Sequence, residues 1–338
     1  MITIKDIARL ANVSIGTVDR VIHERGRVSK ETKNRIKQII RETEYTPNIQ
    51  ARNLALAKSY TLKVLTPRPD QDNGFWAGPV EGVDLARKEL EVFQVNIENV
   101  FFDRYSEDDF LQKAEITLDD RPDGIIIAPV LPEACEKFCR SIPESIKFAL
   151  FDAPLPNIKP LCFIGQDAYS SGRLCAHLLN YIGKKGKNIA IVQITPADMH
   201  IRQRVEGFCS FFAKDDQPKI FYISNQDSEE ENSRLLDKIL NDPAGANALF
   251  ISNASVYNLA EQISARRLPI RIIGYDLTEK NRHLLEQGKI DFLVSQSPDR
   301  QAYLCVRQLY RRLALKEEVE KQIFMPIDIL TRENLRFY

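Results

Sequence analysis

The chain has 338 residues, 43% of them hydrophobic, and its 47 Lys and Arg are balanced by 47 Asp and Glu. This length and composition predict two or three globular domains, counting the halves of a larger body separately. No apolar run approaches the roughly 20 residues of a membrane-spanning helix, and the N-terminus lacks the form of a signal peptide. We therefore expect a cytoplasmic protein that does not bind a membrane.

The cysteines and histidines indicate neither disulfides nor a metal site. None of the six cysteines forms a Cys-x-x-Cys pair, and most lie in apolar patterns typical of reduced core residues. The four histidines are scattered. No nucleophile with a base and no glycine-rich dinucleotide fingerprint stands at a recognisable spacing. We predict no metal, no cofactor and no enzymatic activity.

Three short helical patterns begin the chain. Asn12, which tolerates a left-handed turn, separates the first from the second, and Ser14 and Ser29 stand where the second and third need N-caps. Apolar residues recur at helical spacing in each pattern: Ile4, Ile7, Ala8 and Ala11; Val18, Val21 and Ile22; and Ile36, Ile39 and Ile40. The arrangement predicts a small all-α helix-turn-helix domain, whose second helix enters the DNA major groove.

The charge of this region supports the same interpretation. Residues 1–60 carry 12 Lys and Arg against 6 Asp and Glu, whereas the rest of the chain carries 35 against 41. A basic N-terminal part on a slightly acidic body is typical of a DNA-binding module attached to a domain that binds something else. The alternative, an ordinary helical bundle, does not account for this asymmetry.

A second motif follows the third helix and reads YTPNIQARNL from Tyr45 to Leu54. Together with VSIGTVDR at residues 13–20, it closely resembles the lac repressor family. In that family such a stretch marks a hinge helix that orders on operator DNA. The resemblance implies that Leu54 acts as an apolar wedge in the minor groove and kinks the duplex.

The resemblance also implies a division of the chain and a set of DNA contacts. It places a DNA-binding domain at 1–47, a hinge helix and linker at 48–59, and an effector-binding and dimerisation domain at 60–338. The residues that it implies for contact with DNA are Ser14, Ile15, Gly16, Thr17, Arg20, Asn48, Ala51, Arg52 and Leu54.

The second helix departs from the family pattern at its start. The family usually has Ser where this chain has Asp19, and a carboxylate is repelled by phosphates unless a cation offsets it. Ile15 and Gly16 occupy the two positions that usually read bases. Glycine offers no side chain, and isoleucine can only meet a thymine methyl group. We therefore expect half-site recognition to rest on Thr17, Arg20 and the hinge.

From residue 61 onwards, short apolar runs alternate with helical patterns such as 79–90 and 170–182. The predicted strands are 62–67, 93–100, 124–130, 147–152, 162–165, 188–194, 219–224, 248–252 and 270–276. This alternation predicts an α/β body of two lobes, each a doubly wound parallel sheet with right-handed crossovers. The first lobe is expected at about 60–163 and 296–324, and the second at about 164–295 and 325–338.

Polar and aromatic residues follow these strands, where ligands bind in open parallel sheets. They are Asp70, Asp72, Phe75, Trp76, Asp152, Gln166, Asp167, Arg202, Arg204, Asn253, Asp276 and Gln296. Aromatic rings with convergent Asp, Asn, Arg and Gln suit a neutral polyol, because hydroxyl groups need both donors and acceptors. Gln166 and Asp167 are interpreted instead as residues at a helix entry or a crossing between lobes.

Several motifs of the body resemble the type I periplasmic sugar-binding fold, and most of all its ribose-binding branch, over about residues 60–310. The matching stretches are 75–82, 204–208, 274–276, 285–289 and 296–299. The ligand residues that the resemblance implies are Phe75, Trp76, Asp152, Arg204, Asn253, Asp276 and Gln296. Ala153 and Ala254 replace an Arg and an Asp that are common in the branch. We therefore expect a sugar other than ribose, or ribose held differently.

These features together predict a transcriptional regulator, a repressor that acts as a homodimer on palindromic operator DNA and responds to a monosaccharide. Within the same architecture, a purine or a phosphorylated sugar is the alternative effector. A solute-binding protein is disfavoured by the basic N-terminal domain. A sugar-acting α/β enzyme is disfavoured because no catalytic set is visible.

Overall fold

The computed structural model describes residues 4–22, 28–43, 59–182, 188–194, 198–243 and 245–338. The chain divides into two compact units, one up to Ser59 and the other from Tyr60 onwards. Within the described residues, every helix is too short or too polar to span a bilayer.

The smaller unit contains three helices, α1 (Ile4–Leu10), α2 (Ile15–Ile22) and α3 (Lys30–Glu42). Their apolar faces meet in one core of fully buried side chains, to which each helix contributes; its members are Ile7, Ala8, Ala11, Val18, Val21 and Ile36. The predicted helical faces are therefore confirmed, although the side chain of Ile4 lies outside the described residues.

The turns and caps of this unit are also those that the sequence predicted. Asn12 has a φ of 48°, which is the left-handed conformation that asparagine tolerates. The Ser14 hydroxyl accepts a hydrogen bond from the backbone N–H of Thr17 at 3.2 Å. Ser29 caps α3 in the same way, through the N–H of Thr32 at 3.2 Å. Each serine satisfies a donor that would otherwise be unpaired at a helix start.

The larger unit contains two six-stranded sheets. The first has the order β11-β5-β4-β3-β1-β2 and is parallel throughout. Its strands are β1 (Tyr60–Pro67), β2 (Val95–Phe102), β3 (Gly124–Ile127), β4 (Lys147–Asp152), β5 (Cys162–Gln166) and β11 (Gln322–Met325). The second sheet has the order β12-β10-β9-β8-β6-β7, and only β12 is antiparallel. Its strands are β6 (Ile189–Ile194), β7 (Lys219–Ile223), β8 (Ala248–Ile251), β9 (Arg271–Tyr275), β10 (Phe292–Ser295) and β12 (Asp328–Leu330).

Helices connect these strands. Those of the first lobe are α4 (Ala77–Leu90), α5 (Glu107–Asp119), α6 (Pro132–Ser141) and α12 (Pro298–Tyr310). Those of the second lobe are α7 (Ala168–Ile182), α8 (Met199–Cys209), α9 (Glu229–Leu240), α10 (Val256–Ala265) and α11 (Glu279–Glu286). A single turn at Gln71–Gly74 precedes α4. The fold class that the sequence predicted, an N-terminal helix-turn-helix followed along the chain by two parallel-sheet lobes, is confirmed.

Apolar side chains cover both faces of the second sheet, as a doubly wound arrangement requires. Alternate residues of a strand point to opposite faces. On β8, Leu249 and Ile251 pack into one hydrophobic cluster, whereas Ala248 and Phe250 pack into another. This explains why the strand reads as a continuous apolar run rather than an alternating pattern.

The chain crosses between the lobes three times, after β5, after β10 and between β11 and β12. Gln166 joins these crossings, because its amide nitrogen donates to the carbonyl oxygens of Ser295 at 3.0 Å and Pro326 at 2.8 Å. Since β5 continues to Gln166 and β11 to Met325, the first sheet extends slightly beyond the limits at 163 and 324 that the sequence suggested.

Several strand limits differ from the prediction: the first strand begins two residues earlier, the second is shifted by two residues to Val95–Phe102, and the third is shorter. Local backbone features explain two of these differences. The second strand begins at Val95 rather than at residue 93, because Glu91–Phe93 form a 3-10 turn that ends at Gln94 with a φ of 56°. The third strand ends at Ile127 rather than at residue 130. Pro129, two residues later, has no N–H to donate to a neighbouring strand.

Helices α7 and α8 cross in backbone contact at two glycines. A Cβ atom on Gly172 would lie 1.9 Å from the carbonyl oxygen of Arg204, and one on Gly207 would lie 1.9 Å from that of Tyr169. Both distances are far below a normal contact, so each position requires glycine. The crossing fixes the part of α8 that carries Arg204.

We expect Gly172→Ala to lower the free energy of unfolding by about 1–3 kcal/mol, the usual cost of overpacking. Without the backbone contact, the same substitution would raise the free energy of unfolding, because alanine is favoured over glycine in a helix interior by about 1 kcal/mol. Denaturant unfolding of the purified protein measures the change. As a control, Tyr181→Ala on the same helix, at a side chain that is 80% exposed, should change stability by no more than about 0.5 kcal/mol. A more stable Gly172→Ala protein would show that the two backbones are not in contact.

Candidate functional site

Most of the predicted DNA contacts on and just before α2 are exposed, as in a helix that reads DNA. Ser14, Gly16 and Arg20 are exposed, and Thr17 is half-buried. Ile15 is 44% exposed and contributes nothing to the core of its unit. The side chain of Asp19 lies outside the described residues, as do four of the predicted DNA contacts: Asn48, Ala51, Arg52 and Leu54.

All seven predicted effector residues line one cavity in the larger unit: Phe75, Trp76, Asp152, Arg204, Asn253, Asp276 and Gln296. Phe75 and Trp76 directly precede α4, and Arg204 lies on α8. The other four lie at or just after the ends of strands of both sheets, so the cavity lies between the lobes. Only about 30 Å³ of it is open to the centre of a water-sized molecule, which is room for water but not for a larger ligand. A small-molecule ligand would therefore need the lobes to move apart before it could bind.

Two carboxylates occupy equivalent places in the two lobes. Asp152 ends β4 with a φ of 68°, and Asp276 directly follows β9 with a φ of 70°. Aspartate is one of the few residues other than glycine that adopt this left-handed conformation readily. Both side chains are buried, with 4% and 5% of their surface exposed. Strained backbone that brings buried carboxylates to a cavity is a feature of binding and catalytic sites.

Arg204 is held rigidly from α8, with only 1% of its surface exposed. One terminal nitrogen donates to the carbonyl oxygen of Ser252 and the other to Oε1 of Gln296, both at 3.0 Å. Its guanidinium lies 3.8 Å from the centre of the Tyr275 ring. Gln296 in turn donates to Oδ1 of Asp276 at 3.0 Å. This network orders the side of the cavity that belongs to the second lobe.

Asp72 is a central residue of the cleft, although the resemblance did not include it among the ligand residues. It is buried, and its carboxylate accepts hydrogen bonds from four side chains. These are Nε1 of Trp76 at 2.7 Å, a guanidinium nitrogen of Arg104, the hydroxyl of Tyr105 at 3.1 Å and Nδ2 of Asn225 at 2.6 Å. Asn225 follows β7 of the second lobe, so this carboxylate joins the lobes.

Arg104 makes a second bridge between the lobes. The same guanidinium that binds Asp72 also donates to Asp198 at 3.1 Å, at the start of α8. Next to it, Asn73 of the first lobe donates to the Ser255 hydroxyl at 3.2 Å and accepts from the hydroxyl of Tyr257 at 2.7 Å. These contacts hold the cleft closed, so a ligand can enter only if they open.

Two residues of the cleft, Arg104 and Asn225, were not predicted, although the sequence contained a pattern that indicates them. Arg104 follows β2 and Asn225 follows β7, so the rule that polar residues after strands form the site applies to both. Asp198 and His200 also line the cavity, at the start of α8. No comparable pattern indicated them.

Burial shifts the pKa values of the ionisable side chains in the cleft. Loss of solvent raises the pKa of Asp152 to about 7 and the pKa values of Asp198 and Asp276 to about 6, although Arg204 and Arg104 oppose the rise. Burial, together with the two arginines, lowers the pKa of His200 well below its usual value. The imidazole is therefore neutral at pH 7 and adds no positive charge.

A helix-turn-helix domain followed along the chain by a two-lobed α/β domain is the architecture of a DNA-binding transcriptional regulator. Residues 3–48 match the family described as bacterial regulatory proteins, lacI family. Residues 65–318 match the family described as periplasmic binding protein domain. The chain belongs to the lacI family of bacterial regulatory proteins, with a periplasmic binding protein domain as its body.

Curated relatives and solved structures agree with this assignment. The ribose operon repressor of Lactococcus lactis is 26% identical over 343 residues, which cover 99% of this chain and 98% of that protein. The probable HTH-type transcriptional repressor ExuR of Bacillus subtilis is 26% identical over 82% of each chain. A putative LacI transcriptional regulator from Bacteroides fragilis is 26% identical, covers 83% of this chain and 100% of its own, and has a TM-score of 0.77. GanP, a glucose-galactose binding protein from Geobacillus stearothermophilus, shares the fold at 21% identity, with a TM-score of 0.67 over 82% of this chain and 99% of its own.

Proposed function

We propose that this protein is a transcriptional repressor whose binding to operator DNA is controlled by a small sugar in the interlobe cavity. The observation that carries the proposal is the convergence on one cavity of all seven side chains that the sequence implied for a ligand. Arginine and amides donate hydrogen bonds to hydroxyl oxygens, and carboxylates accept from hydroxyl groups. Phe75 and Trp76 add the apolar surface on which the C–H faces of a sugar pack.

Coupling between sugar and DNA follows from the placement of the ligand residues in both lobes. A sugar that contacts Asp152 of one lobe and Asp276 of the other stabilises the closed cleft relative to an open one. A ligand that binds one conformation more tightly than another shifts the equilibrium between them. By thermodynamic linkage, the factor by which the sugar changes the affinity for DNA equals the factor by which DNA changes the affinity for the sugar. The hinge at 48–59, with Leu54 as its wedge, is the element through which we propose that closure alters DNA binding.

We also propose a homodimer on palindromic DNA. A helix-turn-helix that reads two half-sites one helical turn apart needs a partner related by two-fold symmetry. Large apolar side chains are exposed on α4, α5 and the turn after α4, and they support an interface there: Leu85, Val92, Leu111 and Ile116. These elements belong to the first lobe.

The DNA part of the proposal is tested with duplexes selected from a random pool by the purified protein. The selected site should be palindromic, and affinity should fall steeply as salt rises, since phosphate contacts release counterions. Arg20→Ala on the exposed face of α2 should weaken binding. If Arg20 contacts a phosphate, its loss should reduce the number of ions released on DNA binding by about one. If it contacts a base, its loss should weaken binding by about 1–3 kcal/mol and relax the sequence preference at one position of the site.

Lys238→Ala is the matched control, because it removes one exposed positive charge from α9 of the larger unit, outside the proposed dimer interface. It should leave DNA affinity unchanged. If Arg20→Ala binds the selected duplex as tightly as the unaltered protein does, α2 is not docked in the groove as proposed.

A further inference from the structure

We propose that the effector is an amino sugar, in which a protonated amine binds the carboxylates of the cleft. This inference rests on the proposed function, since it names the chemical class of the ligand for the same cavity. It replaces the neutral sugar that residue types alone suggested. The grounds are the charge of the cavity wall and the polar atoms that the wall leaves without partners.

The cavity wall is negatively charged. Its charged side chains are four carboxylates and two guanidiniums: Asp72, Asp152, Asp198, Asp276, Arg104 and Arg204. The net charge is −2 when all six are ionised, and each of these side chains is buried. His200 is neutral, so it does not offset this charge. The three residues between Ile194 and Asp198 are Thr, Pro and Ala, which carry none.

The two arginines are unevenly shared among the carboxylates. Arg104 binds both Asp72 and Asp198, so that three of the six charges form one bridge. Arg204 donates its hydrogen bonds to neutral oxygens of Ser252 and Gln296 rather than to a carboxylate. No ion pair between a carboxylate and a cation is therefore formed on the side of the cavity that holds Asp152 and Asp276, within the residues that the structure describes.

Asp152 is the group that most needs a ligand. Its Oδ1 atom is buried and accepts no hydrogen bond from any described residue. Oδ1 of Asn253, on the same wall, is likewise buried without a partner. A buried carboxylate without a partner is costly, and the rise of its pKa to about 7 expresses that cost. An ammonium group has three N–H donors and no acceptor, so it supplies charge and hydrogen bonds together.

The rest of the ligand must accept hydrogen bonds. The Nε–H groups of Arg104 and Arg204 are buried donors without a partner on the described wall of this cavity. Hydroxyl and ring oxygens of a sugar can accept from them, whereas an alkyl amine cannot. A sugar acid or sugar phosphate would add negative charge to a wall that already has an excess of it. A hydroxylated ring with one amine therefore suits the wall better than a neutral or an acidic sugar does.

Binding of an ammonium group at Asp152 should depend on pH. The charges that act on Asp152 are those of Arg204, Asp198, Asp276 and Arg104. Because its pKa is raised, Asp152 is largely protonated at pH 5.5 in the free protein, and a cation must displace that proton to bind. Affinity for an amino sugar should consequently rise from pH 5.5 to pH 7, with release of a proton on binding below pH 7. A neutral sugar needs no such release.

Calorimetric titration of the full-length protein at pH 7 tests the charge directly with matched sets of sugars. One set is D-glucosamine, D-glucose and D-glucuronate, a second is the corresponding galactose set, and the panel extends to the common pentoses. We expect an amino sugar to bind at least about tenfold more tightly than its neutral and acidic counterparts, the effect of one added charged hydrogen bond.

Asp152→Asn is the decisive variant, because asparagine has nearly the same shape and tolerates the φ of 68° at this position. It should lower the affinity for the amino sugar at least about tenfold. It should also reduce the rise of affinity with pH to the part that Asp198 and Asp276 contribute, whose pKa values are about 6. Asp237→Asn, at a carboxylate that pairs with Arg266 on the surface of α9, is the matched control and should change neither.

The outcomes separate this inference from the proposed function. If a neutral or acidic sugar binds as tightly as its amino counterpart, or if Asp152→Asn keeps the full preference for the amine, the amino-sugar inference is wrong and a sugar-controlled repressor still stands. If no sugar of the panel binds at millimolar concentration while DNA binding is intact, the sugar part of the proposed function fails together with the inference.

Discussion

Replacing Arg104 with methionine is expected to lower the free energy of unfolding of the larger unit by about 3–5 kcal/mol, the usual cost of removing one partner from a buried ion pair. The side chains of Asp72 and Asp198 are 8% and 6% exposed, and both lose their cation in this variant. Methionine keeps much of the length of the arginine stem, so that loss of charge and hydrogen bonds dominates the change. Denaturant unfolding, followed by circular dichroism, measures it.

Arg68→Met is the control for this variant. Arg68 belongs to the same lobe and also pairs with an aspartate, Asp103 at 2.6 Å, but its side chain is 47% exposed. Exposed pairs contribute about 0–1 kcal/mol, so this variant should unfold nearly as the unaltered protein does. Equal, small losses in both variants would mean that water reaches the Arg104 bridge and that the lobes are not closed in solution.

Asp276→Asn is expected to weaken effector binding by about ten- to a hundredfold, since it removes a charged acceptor from a buried site. Asparagine also tolerates the φ of 70°, so the fold should be retained. The fluorescence of Trp76 is a suitable readout, because it is the single tryptophan of the chain and lines the cavity. DNA binding without effector should be unchanged, whereas the effect of the effector on DNA affinity should require a correspondingly higher concentration of effector.

Asp237→Asn again serves as a control for the loss of a carboxylate at the surface, since its side chain is 53% exposed. It should respond to effector as the unaltered protein does. A sugar that changes the DNA affinity of Asp276→Asn as much as that of the unaltered protein, and leaves the fluorescence of Trp76 unchanged, would place the effector site elsewhere.

The sequence by itself determined the helix-turn-helix, because the information for it is local. The apolar faces recur within each short helix, and the caps at Ser14 and Ser29 act on residues three positions later. Strand and helix alternation likewise predicted two parallel sheets. It was wrong at strand ends, where the conformation of Gln94 or the missing N–H of Pro129 overrides hydrophobicity.

The part of the candidate site that was predicted from the sequence follows from a single rule about strand ends. Residues that follow strands of a parallel sheet share one edge, so the order of strands along the chain is enough to group Asp152, Asn253, Asp276 and Gln296. The same rule applied to β2 and β7 would have added Arg104 and Asn225. It says nothing about which of these groups form pairs.

Only the tertiary structure decided the pairing of charges. Arg104 meets Asp198 across 94 residues of sequence, and Asp72 meets Asn225 across 153. It also showed that Arg204 donates to neutral oxygens and that Oδ1 of Asp152 has no partner among the described residues. Ion pairing and desolvation depend on distance through space and on burial, which the order of residues along the chain does not encode. The charge that the cleft presents to a ligand was therefore decided by the packing of one lobe against the other.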